Sequence, residues 1–175
     1  MFLFHRKPPP PRSVLFVCTA NVTRSPVAEI LFRKLVGSAG EIWKVASAGV
    51  NGARGMGVNQ VISFIMFQRG LSMQHHRSQP VKRKLLTRYQ WIVVMEEGHR
   101  LSILEMDENL KDRVFLFREL TNTEPLDHHN MPDPTGRDVD DYRELFNIFD
   151  AEMPVLVKIL RDKAYEFEMR DSNDD

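Results

Sequence analysis

The stretch VLFVCTANVTRSP, residues 14–26, joins an apolar run, a short polar turn and the start of a helix. Its first four residues are aliphatic or aromatic, which is typical of a strand buried on both faces in a parallel sheet. Pro26 suits the first helical position, Ser25 before it can cap the helix, and Glu29 favours the positive helix end. The sequence therefore predicts strand, turn and helix in immediate succession, with Cys18 where the strand ends.

The polar turn has the features of an anion site. A turn between the carboxyl end of a strand and the amino end of a helix points backbone N–H groups inward, where they can bind phosphate. The same positive potential, with Arg24 nearby, should hold Cys18 as the nucleophilic thiolate. Five residues separate Cys18 from Arg24, so the turn can enclose one tetrahedral dianion between sulfur and guanidinium. A lone Cys-x5-Arg is more often an inert pair, but this strand and helix context favours phosphoryl transfer.

Composition limits the class of protein. The chain has 175 residues, of which 42% are hydrophobic and 27% charged, which suits one packed domain. Its 24 basic and 24 acidic residues give a formal net charge of zero. No overall field would therefore attract nucleic acid or an anionic membrane, and a basic pocket must be local.

The single cysteine and the absence of long apolar runs predict the compartment. One cysteine excludes an internal disulfide and a cysteine-rich zinc site, and a thiolate survives best in a reducing compartment. The first residues do not resemble a secretory signal, and no stretch is long and apolar enough for insertion into a membrane. We therefore expect a cytoplasmic protein.

Apolar runs and helical stripes alternate along the rest of the chain, which predicts an α/β fold. Strands that alternate with helices imply right-handed crossovers and a doubly wound parallel sheet, with the site at the carboxyl ends of the strands. The expected architecture is a single-domain three-layer sandwich, with helices on both sides of the sheet. The further strands are predicted at 42–46, 91–95 and 114–117, and helices at 26–36, 61–70, between 96 and 106, and over the last amphipathic stretch.

Both ends of the chain are predicted to lie outside the domain, which would span residues 13–165. Residues 1–12 are basic and proline-rich and are expected to form a flexible tail, with a docking ligand as the alternative. Residues 166–175 are acidic and are expected to be solvated and disordered. Pro154 in the last amphipathic stretch predicts a kink or a break in that helix.

Residues 17–26, with Ala28 and Glu29, resemble the signature of the low-molecular-weight protein tyrosine phosphatases, and later strands look most like the bacterial members. A second motif agrees with this resemblance. Asp133, which two prolines flank, lies just before the last helix, and this position matches that of the aspartate in the family's Asp-Pro motif. The resemblance, which covers roughly residues 13–161, implies hydrolysis of phosphotyrosine or related aryl phosphate monoesters.

The resemblance also implies the roles of individual residues. Cys18 would attack phosphorus and form a phosphocysteine, Arg24 would hold phosphoryl oxygens, and Asp133 would protonate the leaving oxygen and later activate water. No metal or other cofactor is required, because arginine and amide dipoles supply the positive charge. The residues expected to bind the substrate are Thr19, Ala20, Asn21, Val22, Thr23, Arg24 and Ser25.

Four residues are expected to support the turn, and two of them, Asn21 and Ser25, are also among the residues expected to bind the substrate. Ser25 would donate a hydrogen bond to the sulfur, and Ser47, after the second strand, would hydrogen-bond the turn. A histidine would brace Asn21. His76 matches the family segment through His-Arg-small, although a one-residue shift would choose His75, and adjacent histidines are a poor metal pair.

Four departures from the family leave the substrate preference and the turnover open. Ala20 stands where glycine is usual, and Thr23 replaces a cysteine that often forms a protective disulfide. Thr135 and Gly136 follow the Asp-Pro motif where aromatic residues are usual, and the loop at 51–57 has no aromatic wall for a phenyl ring. The alternatives are a phosphoprotein-binding module with weak turnover and, less favoured, an arsenate reductase that uses external thiols.

The resemblance implies a phosphotyrosine-containing protein as substrate. Bacterial relatives commonly oppose tyrosine kinases that regulate exopolysaccharide export, so such a kinase is a candidate partner. Phosphate or vanadate should inhibit, no nucleic acid partner is expected, and the chain is expected to be a monomer or a weak dimer.

Overall fold

Six buried residues, Ser13–Cys18, form strand β1 in the centre of a four-stranded parallel sheet. The computed structural model describes residues 9–122 and 129–171. The elements in chain order are β1 (Ser13–Cys18), α1 (Arg24–Ser38), β2 (Lys44–Gly49), α2 (Gln60–Gln68), α3 (Arg83–Leu86), β3 (Trp91–Val94), α4 (Glu97–Met106), a 3-10 helix (Glu108–Arg113), β4 (Val114–Leu116), α5 (Phe117–Thr121) and α6 (Val139–Asp171).

The sheet has the strand order β2-β1-β3-β4. β1 pairs in parallel with β2 on one side, with Cys18 opposite Gly49, and with β3 on the other, with Val17 opposite Val94. The chain thus changes direction across the sheet at β1, which creates a crevice at the carboxyl end of this strand. The predicted doubly wound parallel sheet is confirmed, and Cys18 lies at its switch point.

Helices cover both faces of the sheet, so the predicted three-layer architecture is also confirmed. Val14 and Phe16 on one face of β1 belong to a core with side chains of α1 and α6. Leu15 and Val17 on the opposite face pack with residues of α4 and the 3-10 helix. A fully buried side chain of this kind stabilises the fold by about 2 kcal/mol. The double burial holds the carboxyl end of β1 in place.

Two element boundaries near the site differ from the predicted ones. β2 spans Lys44–Gly49 rather than 42–46, and Ile42 is 90% exposed ahead of it. The pairing between β2 and β1 extends from Lys44 to Gly49, and this pairing sets the bounds of β2. The hydrophobic character of Ile42 does not bring it into the strand. Ser47 therefore lies within the strand rather than in a turn after it. α1 begins at Arg24, before the predicted Pro26.

The last helix is longer and more regular than predicted. α6 runs from Val139 to Asp171 with Pro154 inside it, so of the two predicted alternatives the break is wrong and the kink stays a prediction. Residues 166–171 continue this helix, which contradicts a disordered tail from 166. Phe167 packs edge-on against Trp91, with ring centroids 5.6 Å apart. Tertiary contacts thus order the end of a helix whose composition is acidic.

Part of the predicted N-terminal tail is also held against the domain. The Pro11 carbonyl accepts a hydrogen bond from Trp91 Nε1 at 2.8 Å, and Arg12 pairs with Glu168 at 2.9 Å. The predictions for residues 1–8 and 172–175 lie outside the described residues. The domain limits themselves stay a prediction.

Candidate active site

The loop that joins β1 to α1, residues 19–23, curls over the sulfur of Cys18. Asn21 has a positive φ of 59°, a conformation that asparagine adopts more readily than most residues. This turn brings the Asn21 N–H to 3.3 Å from Cys18 Sγ, to which it donates. Cys18 itself is buried, with 2% of its surface exposed. The structure therefore places the cysteine at the base of the β1–α1 loop.

Ser25 contacts the sulfur instead of capping the helix. Thr23 occupies the N-cap position of α1 and makes no side-chain cap hydrogen bond. The Ser25 hydroxyl lies 3.0 Å from Cys18 Sγ. The helix-cap prediction for Ser25 is therefore wrong, because α1 begins two residues earlier than predicted and the Ser25 hydroxyl lies beside the cysteine.

The side chain of Asn21 is the centre of a buried polar network beneath the β1–α1 loop. Its Nδ2 donates to Ser25 Oγ and to Ser47 Oγ, each at 2.9 Å. Its Oδ1 accepts the backbone N–H of Gln79 at 3.0 Å. The Ser47 hydroxyl donates in turn to Glu29 Oε2 at 2.6 Å. Glu29 is thus a partner of this network, and it does not occupy the first turn of α1 as the sequence suggested.

The structure distinguishes the two adjacent histidines. His76 Nε2 donates to the Asn21 carbonyl oxygen at 2.8 Å. His75 is exposed, and its Nε2 lies 3.2 Å from Nε2 of Gln74. His76 is therefore the histidine in contact with the β1–α1 loop.

Arg24, the first residue of α1, is only 1% exposed, and its guanidinium is surrounded by oxygen acceptors. Its Nη2 donates to Asp133 Oδ2 at 2.6 Å and to Thr19 Oγ1 at 3.3 Å. Its Nη1 donates to the Met131 carbonyl at 3.1 Å and to a carboxylate oxygen of Glu96. A buried guanidinium between two carboxylates is held in one orientation.

Asp133 faces Arg24 from a separate loop between α5 and α6. This loop is tied to the sheet by a hydrogen bond of 2.7 Å from Met131 N–H to the Met95 carbonyl. Asp133 Oδ1 accepts the N–H of Thr135 at 3.0 Å, and the carboxylate remains 39% exposed. The two prolines and these contacts present one carboxylate oxygen to Arg24 and leave the group open to solvent.

The remaining loop residues line the mouth of the site. Thr23 Oγ1 lies 3.3 Å from Thr135 Oγ1, so the β1–α1 loop touches the Asp133 loop. The Val22 carbonyl accepts the N–H of Asn59 at 2.8 Å, which places the start of α2 at the site. Thr19 and Ala20 are half-buried. The backbone after β2 follows this loop closely, since Asn51 N–H donates to the Thr19 carbonyl at 2.9 Å.

Two residues of the site, Glu96 and His99, were not identified from the sequence, and both lie at the start of α4. Glu96 binds Arg24, and His99 Nε2 lies 2.9 Å from Thr19 Oγ1. Burial lowers the pKa of His99 to about 4, and the positive charge of Arg24 adds to this effect. Both residues follow the carboxyl end of β3, the strand beside β1, and that position was the signal that could have revealed them.

Neither a metal cluster nor a membrane span is found in the described parts of the chain. Among residues 9–122 and 129–171, no three His, Cys, Asp or Glu side chains are grouped to hold a metal ion. None of the helices described is both long enough and apolar enough to cross a bilayer.

A cysteine lies beneath the loop that follows the central strand of a parallel sheet, and an arginine beside it faces a carboxylate. This combination is typical of the cysteine-dependent phosphatases. The family model for low molecular weight phosphotyrosine protein phosphatases matches residues 13–166. The chain belongs to this family and is a phosphatase.

Known relatives include enzymes named for two different phosphoresidues. The low molecular weight protein-tyrosine-phosphatase Etp of Escherichia coli K12 is 25% identical over 138 residues, 79% of this chain and 87% of Etp. A protein-arginine-phosphatase of Geobacillus stearothermophilus is 30% identical over 135 residues, 76% of this chain and 85% of the relative. A solved mutant of the YwlE arginine phosphatase, with a phosphorylated active-site serine, has a TM-score of 0.78 at 26% identity and covers 85% of this chain and 95% of its own.

Proposed function

We propose that the chain hydrolyses phosphotyrosine in proteins through a phosphocysteine intermediate. The observation that carries this proposal is the position of Arg24. Its Nη2 lies 2.6 Å from Asp133 Oδ2, and its backbone begins α1 directly after the loop that covers Cys18. The proposed nucleophile, oxyanion clamp and proton donor would therefore act on one phosphoryl group, as phosphoryl transfer requires.

The first step would be in-line attack by the Cys18 thiolate on phosphorus. The S–P bond forms while the bond from phosphorus to the phenolic oxygen breaks, and Asp133 gives its proton to that oxygen. Arg24 and the loop N–H groups hold the phosphoryl oxygens in the transition state. The dianion replaces the Asp133 carboxylate as the partner of Arg24 Nη2, which releases Asp133 for the leaving group.

The second step would return the free enzyme. Asp133, now a carboxylate, takes a proton from water as the water oxygen attacks phosphorus, and the S–P bond breaks to give phosphate and the thiolate. The Asn21 N–H at 3.3 Å and the Ser25 hydroxyl at 3.0 Å are the groups placed to stabilise the departing sulfur. The relative with a phosphorylated active-site serine supports a covalent phospho-enzyme at this position.

The test is hydrolysis of p-nitrophenyl phosphate at mildly acidic pH with EDTA present. Wild type should turn over, and Cys18→Ser should lose activity by at least about 10³-fold while its circular dichroism and phosphate binding persist. Activity of Cys18→Ser near that of wild type would exclude cysteine as the nucleophile. A wild type that binds phosphate without turnover would instead be the phosphoprotein-binding module.

Phosphoarginine is a second candidate substrate. The observation in its favour is Thr135, which contacts Thr23 at the mouth of the site, at a position where the family resemblance leads us to expect an aromatic wall. The 30% identity to a protein-arginine-phosphatase points the same way. Release of phosphate from matched peptides that carry phosphotyrosine or phosphoarginine decides between them, and a higher kcat/KM for phosphoarginine would replace the first proposal.

The wider setting of the reaction is also part of the proposal. A bacterial tyrosine kinase is the candidate partner, phosphate and vanadate are the expected inhibitors, and the chain is expected to act in the cytoplasm as a monomer or weak dimer. Competition by vanadate in the p-nitrophenyl phosphate assay and sedimentation of the full chain check the inhibitor and the oligomeric state.

A further inference from the structure

The side chains of Thr19 and His99 meet at the carboxyl ends of β1 and β3. Thr19 Oγ1 and His99 Nε2 are 2.9 Å apart. On the other side of the ring, His99 Nδ1 lies 3.1 Å from the backbone N–H of Glu96. A backbone N–H can only donate, so Nδ1 must present its lone pair and the proton of a neutral ring lies on Nε2. His99 therefore donates to Thr19.

The surroundings of His99 keep its ring neutral. The side chain is 4% exposed, and Arg24 lies on the far side of Thr19. Burial, followed by the charge of Arg24, lowers the pKa of His99 to about 4. Protonation would also place a hydrogen on Nδ1 against the Glu96 N–H, where no lone pair would remain. The Nε2–H tautomer is thus the form present near neutral pH.

The hydrogen bonds made to Thr19 leave its own proton unused. Thr19 Oγ1 accepts from His99 Nε2 and also from Arg24 Nη2, at 3.3 Å. A hydroxyl oxygen has two lone pairs, so both are engaged and the O–H must point elsewhere. No hydrogen bond between described residues gives this proton an acceptor. Arg24 Nη2 is also the nitrogen that binds Asp133, so the hydroxyl lies beside the position proposed for the phosphoryl group.

We propose that the Thr19 hydroxyl donates to an oxygen of the bound phosphoryl group, and that His99 is a positioning residue which holds that proton toward the pocket. The inference rests on the proposed function, because it assigns a phosphoryl oxygen to the place beside Arg24. The side-chain hydroxyl of Thr19 then binds the anion in addition to the backbone N–H groups of the loop. A donor that is already oriented costs little reorganisation when the dianion enters.

Binding of inorganic phosphate to the full chain, measured by calorimetry, tests the role of Thr19 without any turnover. Thr19→Val keeps the shape and removes the hydroxyl, and it should weaken phosphate binding by about tenfold, since hydrogen bonds to charged groups are the stronger ones. Thr19→Ser restores the hydroxyl and should bind within about threefold of wild type. Equal affinities of the valine variant and wild type would overturn the proposal.

The positioning role of His99 is tested by a double-mutant cycle. His99→Phe should weaken phosphate binding in the wild-type background and have no further effect in the Thr19→Val background, because its influence passes through that hydroxyl. A purely structural histidine would give equal losses in both backgrounds and would overturn the role. His99→Gln, whose amide can still donate, should recover part of the affinity.

A spectroscopic measurement on the wild-type protein tests the tautomer of His99 even if a variant does not fold. The ¹⁵N–¹H correlation of the imidazole rings at pH 7 should show His99 neutral with its proton on Nε2. A charged ring or an Nδ1–H tautomer would overturn the proposal. Phosphate binding that depends on Thr19 in a protein without phosphatase turnover would refute the proposed function and leave this inference standing.

Discussion

Gly49 at the end of β2 sets how closely the β1–α1 loop can approach the sheet. A Cβ on this residue would lie 2.6 Å from the Thr19 carbonyl oxygen and 2.9 Å from the Asn21 nitrogen. Those atoms belong to the backbone of the loop and cannot move aside as a flexible side chain could. The absence of a side chain at this one position is therefore a condition for the shape of the anion site.

Gly49→Ala should damage both the fold and the site. We expect the free energy of unfolding to fall by about 2 kcal/mol, as for other overpacked positions, and phosphate binding to weaken because the loop shifts. The matched control is Gly37→Ala on the exposed side of α1, where a Cβ meets nothing within 4 Å. That change should stabilise the protein by about 0.5 kcal/mol, since alanine favours a helix. Urea unfolding measures the free energy of unfolding of both variants. Equal changes in the two variants would mean that a Cβ at Gly49 does not clash with the loop.

Asp133 is the proposed proton donor to the leaving group, so the effect of replacing it should depend on the basicity of that group. Asp133→Asn should slow hydrolysis of phenyl phosphate by about 10²-fold or more, because a poor leaving group needs the proton, and slow that of p-nitrophenyl phosphate far less. Initial rates with substituted aryl phosphates measure this difference. Asp140→Asn, at a carboxylate that is 82% exposed, is the control and should behave as wild type. Equal losses across the substrate series would argue against an acid role.

At the scale of elements, the end of α6 shows how packing overrides composition. Its last turns are acidic, yet Phe167 packs on Trp91 of β3 and Glu168 pairs with Arg12. Trp91 also binds the Pro11 carbonyl, so one tryptophan side chain joins the two ends of the described chain. The helix thus acquires from tertiary contacts the order that its charge pattern does not predict.

Phe167→Ala tests whether the end of α6 belongs to the folded domain. Loss of the aromatic contact should lower the free energy of unfolding by about 1 kcal/mol and leave kcat unchanged, because the residue lies far along α6 from the site. Tyr165→Ala, at a side chain that is 57% exposed, is the matched control with little expected effect. Identical chemical unfolding curves for the two variants would show that the end of the helix contributes nothing to stability.

At the scale of the whole molecule, burial of a neutral histidine couples stability to pH. The pKa of His99 is about 4 in the folded chain because burial and the positive charge of Arg24 lower it. The negative charges of Glu96 and Asp133 raise this pKa but do not outweigh the lowering. An unfolded histidine has a pKa of about 6.5, so the unfolded state binds more protons between these values. Stability should therefore fall as the pH drops from about 6.5 to about 4, by at most about 1.4 kcal/mol per pH unit from this group.

The difference between wild type and His99→Gln isolates this contribution from that of the carboxylates. Urea unfolding between pH 4.5 and 7 should show a shallower loss of stability in the variant at the acidic end. His75→Gln, at the exposed histidine, should keep the slope of wild type. A His99→Gln slope parallel to that of wild type would mean that His99 carries its proton in the folded chain.

Much of the fold and part of the site follow from contiguous sequence. The run from Val14 to Cys18 predicts the central strand by composition alone, and the turn that follows predicts an anion site because strand and helix ends impose it locally. Asp133 could be proposed because two prolines make it conspicuous. These features depend on residues that are neighbours in the sequence, so they can be predicted without the tertiary structure.

Other features were decided only by the tertiary structure. Glu96 and His99 lie 72 and 80 positions from Arg24 and Thr19, their respective partners, and nothing local marks them. The order of the acidic end of α6 depends on Trp91, a residue of β3. The sequence by itself determined the alternation of strands and helices, the candidate nucleophile and the class of chemistry. Long-range packing decided which polar groups surround Arg24, because the partners of a buried charge are set by which strand ends the fold brings together.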